Sequence, residues 1–255
     1  MRLPRLHMKK IYLIALLLFC VAVALAGRLV AGQDRAWKPP PKRSDAVRVL
    51  LVTGGHDHDV EFYSVFDDPG IKTVVDPHPA AFSGDIRKRA DVLALYDMMK
   101  SIDERRRNHL RAFVESGKGV VVLHHAIGDY MDWPWWSEEV VGGRYLFEPA
   151  NGKKSSYRHD EEQLITVAAE HPITKGLGAF RIFDETYKDM WISPGVKVLL
   201  RSDNPTSDGP VAWISPYQKS RVVYLQLGHD RHAHLNPKYQ QLVRNAIQWA
   251  AGKAN

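Results

Sequence analysis

Gly119-Val120-Val121-Val122-Leu123-His124-His125 is the stretch that decides the fold. A strand with one wet face alternates polar and apolar residues. An unbroken apolar run of this length is instead a central strand of a sheet covered on both faces. The histidine pair follows at once. Two other stretches repeat the arrangement. Residues 47–53 run into Gly54-Gly55-His56-Asp57-His58-Asp59, and residues 221–227 run into Gly228-His229-Asp230-Arg231-His232-Ala233-His234. In an open parallel sheet the carboxyl ends of the strands share one rim, and ligands bind in the crevice there. Parallel pairing of these runs would bring seven imidazoles and several carboxylates to that rim, so a functional site is expected at it.

Outward from these runs the chain alternates strand and helix, the signature of an α/β fold with helices on both faces of a mostly parallel sheet. Further strands are expected at residues 72–75, 91–96, 163–167, 196–200 and 211–214. Turn signals at Asn204-Pro205 and Ser215-Pro216 make some of the late strands antiparallel. Ser101-Ile102-Asp103-Glu104 has capping-box spacing before a helix with Leu110, Phe113 and Val114 on one face, closed by Gly117. Asn236-Pro237 opens the last helix, with Leu242, Val243, Ala246, Ile247 and Ala250 inward and Gly252 after it.

The first residues read as an address. Arg2, Arg5, Lys9 and Lys10 precede an apolar run of 16 residues, 11–26, ending in Ala24-Leu25-Ala26. The run is short of the roughly 20 residues that span a bilayer. Residues 1–26 are therefore expected to be a signal peptide, and the protein periplasmic or extracellular; an uncleaved segment would leave it membrane-anchored. That segment holds four Lys/Arg and no acidic residue, so without it the net charge falls from +6 to +2. The basic balance thus belongs to targeting and does not call for a nucleic-acid partner. Cys20, the sole cysteine, leaves with it, and the exported chain must hold together without disulfides. Residues 27–46, with Pro39-Pro40-Pro41, read as an extended linker, and 47–255 as one domain.

No dinucleotide fingerprint, P-loop, zincin or nucleophile-elbow motif occurs, so no nucleotide cofactor is expected. Imidazoles and carboxylates are the ligand set of zinc, manganese or a similar ion, and His56, His58, His125 and His229 are the candidates. The plainer reading of Asp57 and Asp59 is a helix cap. At His124-His125 the chain turns; one ring is expected in the crevice and the other packed. Trp133, Trp135 and Trp136, with Asp129, suit a sugar whose C–H face stacks on indole, or else form an apolar lid. Asp184-Glu185-Thr186-Tyr187 offers two carboxylates and a phenol for acid–base work, or a helix start carrying acids. His229 stands at a strand end, while His232 and His234 fit a solvated loop.

Taken together, these segments resemble the trehalose-utilisation, ThuA-like family over residues 47–252. The likeness rests on Thr53-Gly54-Gly55-His56, Val122-Leu123-His124-His125-Ala126, Val141-Gly142-Gly143, His171-Pro172-Ile173-Thr174-Lys175-Gly176-Leu177, Asp184-Glu185-Thr186-Tyr187 and Leu227-Gly228-His229. It implies a three-layer, flavodoxin-like fold of the class I glutamine amidotransferase type. It does not bring amidotransferase chemistry, because His124-His125-Ala126 occupies the turn where that superfamily carries its cysteine. It links the chain to disaccharide catabolism and 3-keto sugars. Many members carry His-Pro where this chain reads Glu148-Pro149, and His159 is a candidate substitute.

The resulting expectation is an exported enzyme acting on a glycoside or 3-keto-glycoside by hydrolysis, elimination or isomerisation. His56, His125, His229, Asp184 and Glu185 would be catalytic, and Trp133, Trp135, Trp136, Asp129 and Tyr187 would hold the sugar. The competing expectations are a non-catalytic sugar-binding domain and a metal-sequestering one.

Overall fold

Nine strands form one sheet among the described residues, 45–254, of the computed structural model. The expected signal peptide, and the linker up to residue 44, lie outside the described residues. In chain order the strands are β1 (Val47–Gly54), β2 (Ile71–Pro77), β3 (Val92–Asp97), β4 (Gly119–Leu123), β5 (Gly143–Arg144), β6 (Ser156–Val167), β7 (Phe180–Lys188), β8 (Trp191–Ile192), β9 (Lys197–Ser202), β10 (Pro210–Ile214) and β11 (Val222–Leu225). Across the large sheet the order is β2-β1-β3-β4-β11-β10-β9-β6-β7, and β5 pairs with β8 apart from it.

β2, β1, β3, β4 and β11 are parallel neighbours. The three histidine-bearing strands therefore do share a rim. From β11 onward every pairing is antiparallel. Direction alternates through β10, β9 and β6, so β7 again runs with the parallel set and its carboxyl end reaches the same rim. The start of β6 reaches it too.

Period-two alternation in β4 sends Val121 and Leu123 into one apolar layer and Val120 and Val122 into the other. Helix α1 (Glu104–Glu115) covers the second layer with Leu110, Phe113 and Val114. Its cap is Asp103, which accepts from the Arg106 amide, rather than Ser101; the carboxylate then sits at the positive end of the helix. Short helix α2 (Arg231–His234) lies at the rim, and α3 (Pro237–Ala250) covers the first layer. Tyr239, Leu242, Val243, Ala246, Ile247 and Ala250 are its buried residues. Each fully buried Leu or Ile there contributes about 2 kcal/mol by leaving water. The fit against β4 is close, since a Cβ on Gly119 would stand 2.3 Å from the Ala250 carbonyl oxygen.

Candidate functional site

The turn after β4 builds the centre of the rim. His124 has φ +49, a left-handed conformation that a non-glycine residue holds only at a cost of about 1–3 kcal/mol. Its Nδ1 lies 2.6 Å from the Gln226 carbonyl oxygen, which can only accept, so Nδ1 carries the proton. Nε2 is thereby aimed at three groups: His229 Nδ1 at 3.2 Å, Glu185 Oε2 at 3.1 Å and the Tyr187 hydroxyl at 3.1 Å. Burial opposes charge on His124, but the hydrogen bond and charge of Glu185, with Asp184 behind it, outweigh burial and raise its pKa. Burial likewise opposes the Glu185 carboxylate, yet His124 and His229 hold it below the usual carboxylate range.

His125 turns the other way. Its Nε2 donates to the Tyr96 carbonyl oxygen at 3.3 Å, and its Nδ1 has no partner. Burial, then the neighbouring His124 and His56 rings, push its pKa well below the ordinary imidazole value, so it is a neutral ring with a free lone pair. His56 stacks on it with ring centroids 4.5 Å apart.

Asp184 and Glu185 are consecutive on a strand and so face opposite sides. Glu185 meets the histidines, whereas Asp184 accepts from the backbone amides of Gly228 at 2.7 Å and His229 at 3.0 Å. Gly228 has φ +116, and a Cβ on it would stand 2.2 Å from the Tyr239 hydroxyl oxygen, so only glycine fits. Its carbonyl is held by the Tyr96 hydroxyl at 2.7 Å and by His234 Nε2 at 3.0 Å; His234 Nδ1 in turn meets Asp59 at 2.9 Å. The backbone that presents His229 is thus fixed from three sides.

His56, His125, Glu185 and Tyr187 open on a cavity of about 580 Å3, within the usual range for small-molecule sites. His56, His125, His159, Glu185 and Tyr187 line its reactive side, and Met98, Ile127, Tyr145, Phe147 and Tyr157 its apolar side, with Lys154 at one edge. His159 arrives through a β-bulge: between Arg158 and Glu161, β6 carries one residue more than β7 opposite, with Asp160 at φ +59. His159 Nδ1 then lies 3.1 Å from Glu185 Oε1.

His124, Glu185 and His229 can hold a metal ion, their donor atoms all lying within 4.8 Å of one another. Donors around a tetrahedral zinc at 2.0–2.1 Å stand about 3.3 Å apart. The observed separations of 3.1, 3.2 and 3.6 Å fit that set. The Nδ1–carbonyl bond that orients His124 is the outer partner such a ligand ordinarily has, and Asp184 fixes the backbone that presents His229.

The sequence profile of the trehalose-utilisation family matches residues 48–250. The chain belongs to the ThuA family. It is similar to solved ThuA-like proteins from Parabacteroides merdae, at 20% identity and a TM-score of 0.71 over 82% of this chain and 92% of that one, and from Bacteroides uniformis, at 20% and 0.65 over 86% and 97%. A Thermoplasma acidophilum protein described as a GMP synthase component has the same fold at 14% identity and a TM-score of 0.55, over 82% of this chain and 96% of that one. That agrees with the class I glutamine amidotransferase-like superfamily to which ThuA proteins belong. No curated protein matches the chain.

Several expected site residues of this ThuA chain lie elsewhere. Trp133 and Trp136 are buried in the layer beneath α1, and Arg111 stacks on Trp135 at 4.4 Å. None of the three lines the cavity; the segment is an apolar lid, because its rings find α1 and the sheet before they reach the rim. Asp129 is buried beside Asp97, where burial and that neighbour raise its pKa well above the carboxylate range, and it accepts from the Met99 amide at 2.6 Å. His58 turns to the Tyr63 hydroxyl at 3.0 Å, outside the donor cluster, while His56 and His125 line the cavity without joining it. Of the four histidines expected as ligands, only His229 belongs to the cluster. Asp59 does cap a helical turn, accepting from the Phe62 amide. His234 is fully buried, not solvated. Glu148 is exposed and lines a separate small pocket, whereas His159 reaches Glu185. The cavity's aromatic wall, Tyr145, Phe147 and Tyr157, went unread, although Tyr157 and His159 alternate as strand residues sharing a face.

Proposed function

We propose that this ThuA protein is an exported carbohydrate-active enzyme acting on a glycoside or 3-keto-glycoside, with a divalent ion held by His124, Glu185 and His229. The observation that carries the reading is that one cavity is lined both by the neutral ring of His125 and by Glu185, whose carboxylate joins His124 and His229 in a three-donor cradle. An ion in that cradle would polarise a carbonyl oxygen of the substrate and make the adjacent C–H acidic. His125, which lines the cavity, takes that proton, its burial keeping the ring unprotonated beforehand. His159, paired with Glu185 Oε1, hands a proton to the departing oxygen. Tyr145, Phe147 and Tyr157 offer faces for the sugar's C–H surface. The 3-keto sugar comes from the family, and the export from the N-terminal pattern.

The test is metal analysis of untagged protein, coupled to turnover of a 3-keto-glycoside. Near-stoichiometric zinc or manganese is expected, lost in His124→Ala. His125→Ala should keep the metal and lose at least about 100-fold in kcat. Full turnover by His125→Ala, or no product from any 3-keto-glycoside with metal bound, would reject the reading.

A further inference from the structure

The polar groups on the cavity wall are unevenly matched. At the reactive side they satisfy one another: Glu185 Oε1 lies 3.1 Å from His159, and Oε2 lies 3.1 Å from His124 and 3.6 Å from His229. Among the described residues Glu185 is the only carboxylate lining the cavity. Lys154, on the turn that leads into β6, lines the same cavity, and among the described residues no carboxylate lies within ion-pair distance of its ammonium group. A second lysine without a carboxylate partner stands nearby: Lys100 Nζ lies 5.7 Å from the ring centroid of Phe147, itself a wall residue. Glu148, the next acid along the chain from Phe147, lines the adjoining small pocket and not this one.

We infer that the ligand of this cavity carries an oxyanion, a carboxylate or a phosphate, and that Lys154 recognises it. The inference rests on the carbohydrate reading above and narrows it from sugars at large to acidic ones. A lysine on an open surface is ordinarily just solvated. Lys154 differs because it shares a concave wall with aromatic rings and with a carboxylate already saturated by three histidines. Low-dielectric walls focus the field of an unneutralised charge into the cleft. Lysine, a compact point charge without the guanidinium fork, suits either oxyanion. The ammonium remains exposed, so its effect is modest, about fivefold in affinity, and weakens with salt.

Isothermal titration of the metal-loaded protein tests this with four probes: methyl glucoside, glucuronate, glucose 6-phosphate and inorganic phosphate, at low and high salt. The readout is the ratio of Kd for each anion to Kd for the neutral glucoside. At least one anion should bind about fivefold tighter than the neutral probe in the wild type. Lys154→Met should lower that preference towards what the bound ion alone gives, Lys154→Glu should lower it further, and salt should shrink it. The better anion identifies carboxylate or phosphate as the group read. Equal binding of neutral and anionic sugars, or a preference unchanged in Lys154→Met, overturns the inference while leaving the carbohydrate reading intact. If no sugar binds but inorganic phosphate does, and Lys154→Met releases it, the oxyanion subsite stands and the carbohydrate reading falls. If neither sugars nor phosphate bind, the inference fails as well.

Discussion

At Asp184 and Glu185 one step along a strand separates two duties. Glu185 meets His124, His159 and His229, and Asp184 holds the two amides that present His229. Asp184→Ala strands both amides in a buried place, and the expected cost is about 3 kcal/mol, read as a lower urea midpoint. Metal content should fall with it although no ligand has been touched; an unchanged midpoint and unchanged metal would show the amides find other partners. The pair was visible in the sequence as carboxylates but not as a division, because that needs the knowledge that residues 180–188 form a strand. The signal was there: Phe180 and Ile182 are buried while Arg181 and Phe183 are exposed, a period of two. It was masked by Asp184, Glu185 and Thr186, polar residues buried for the site rather than the core. The pairing of His124 with Glu185, 61 positions apart, has no local signature at all.

Among elements, the turn after β4 and the tryptophan segment make a contrast. The sequence located the first, because an apolar strand ends at His124 whatever lies around it. It misplaced the second, because chain adjacency does not say which layer a loop will cover. The helical turn Trp135–Val141 packs on the α1 side of the sheet, and Trp213 donates to its Val141 carbonyl at 3.1 Å. Trp136→Ala should therefore behave as a core truncation, costing about 3–5 kcal/mol in denaturant unfolding. Tyr157→Ala should leave stability within about 0.5 kcal/mol, being 55% exposed, and weaken sugar binding. Loss of sugar affinity in a still-folded Trp136→Ala protein, with none in Tyr157→Ala, would restore the indoles to the ligand.

For the molecule as a whole, acid stability carries a readable mark. Burial, with the Arg106 charge behind it, lowers the His78 pKa from 6.5 to about 4. Above pH 6.5 the ring is neutral folded or unfolded and contributes no pH dependence. Between 6.5 and about 4 the unfolded chain binds a proton that the folded one does not, so stability falls as pH falls. His78→Phe removes this, and its urea midpoint should drop less than wild type across that window; parallel profiles would mean the ring titrates normally. Carboxylates shared by both proteins cancel in the comparison.

The large sheet also divides mechanically. Only Ile165, Thr166 and Val167 of β6 pair with β9, while its earlier residues pair with β7 alone. The rest of the β6–β7 hairpin is an arm held by the loop after β9 instead of by a strand, through the Asp203 amide on the Leu164 carbonyl and the Asp208 amide on the Tyr187 carbonyl, and its tip carries Tyr157 and His159. The base, His125, belongs to the rigid block from which that arm projects. A change at the tip alters what the cavity accepts and leaves the block's hydrogen-bond ladder whole, whereas a change at the root displaces every group on the arm at once. Within one fold, substrate contact and proton donation can therefore drift together on the arm while the proton acceptor stays anchored.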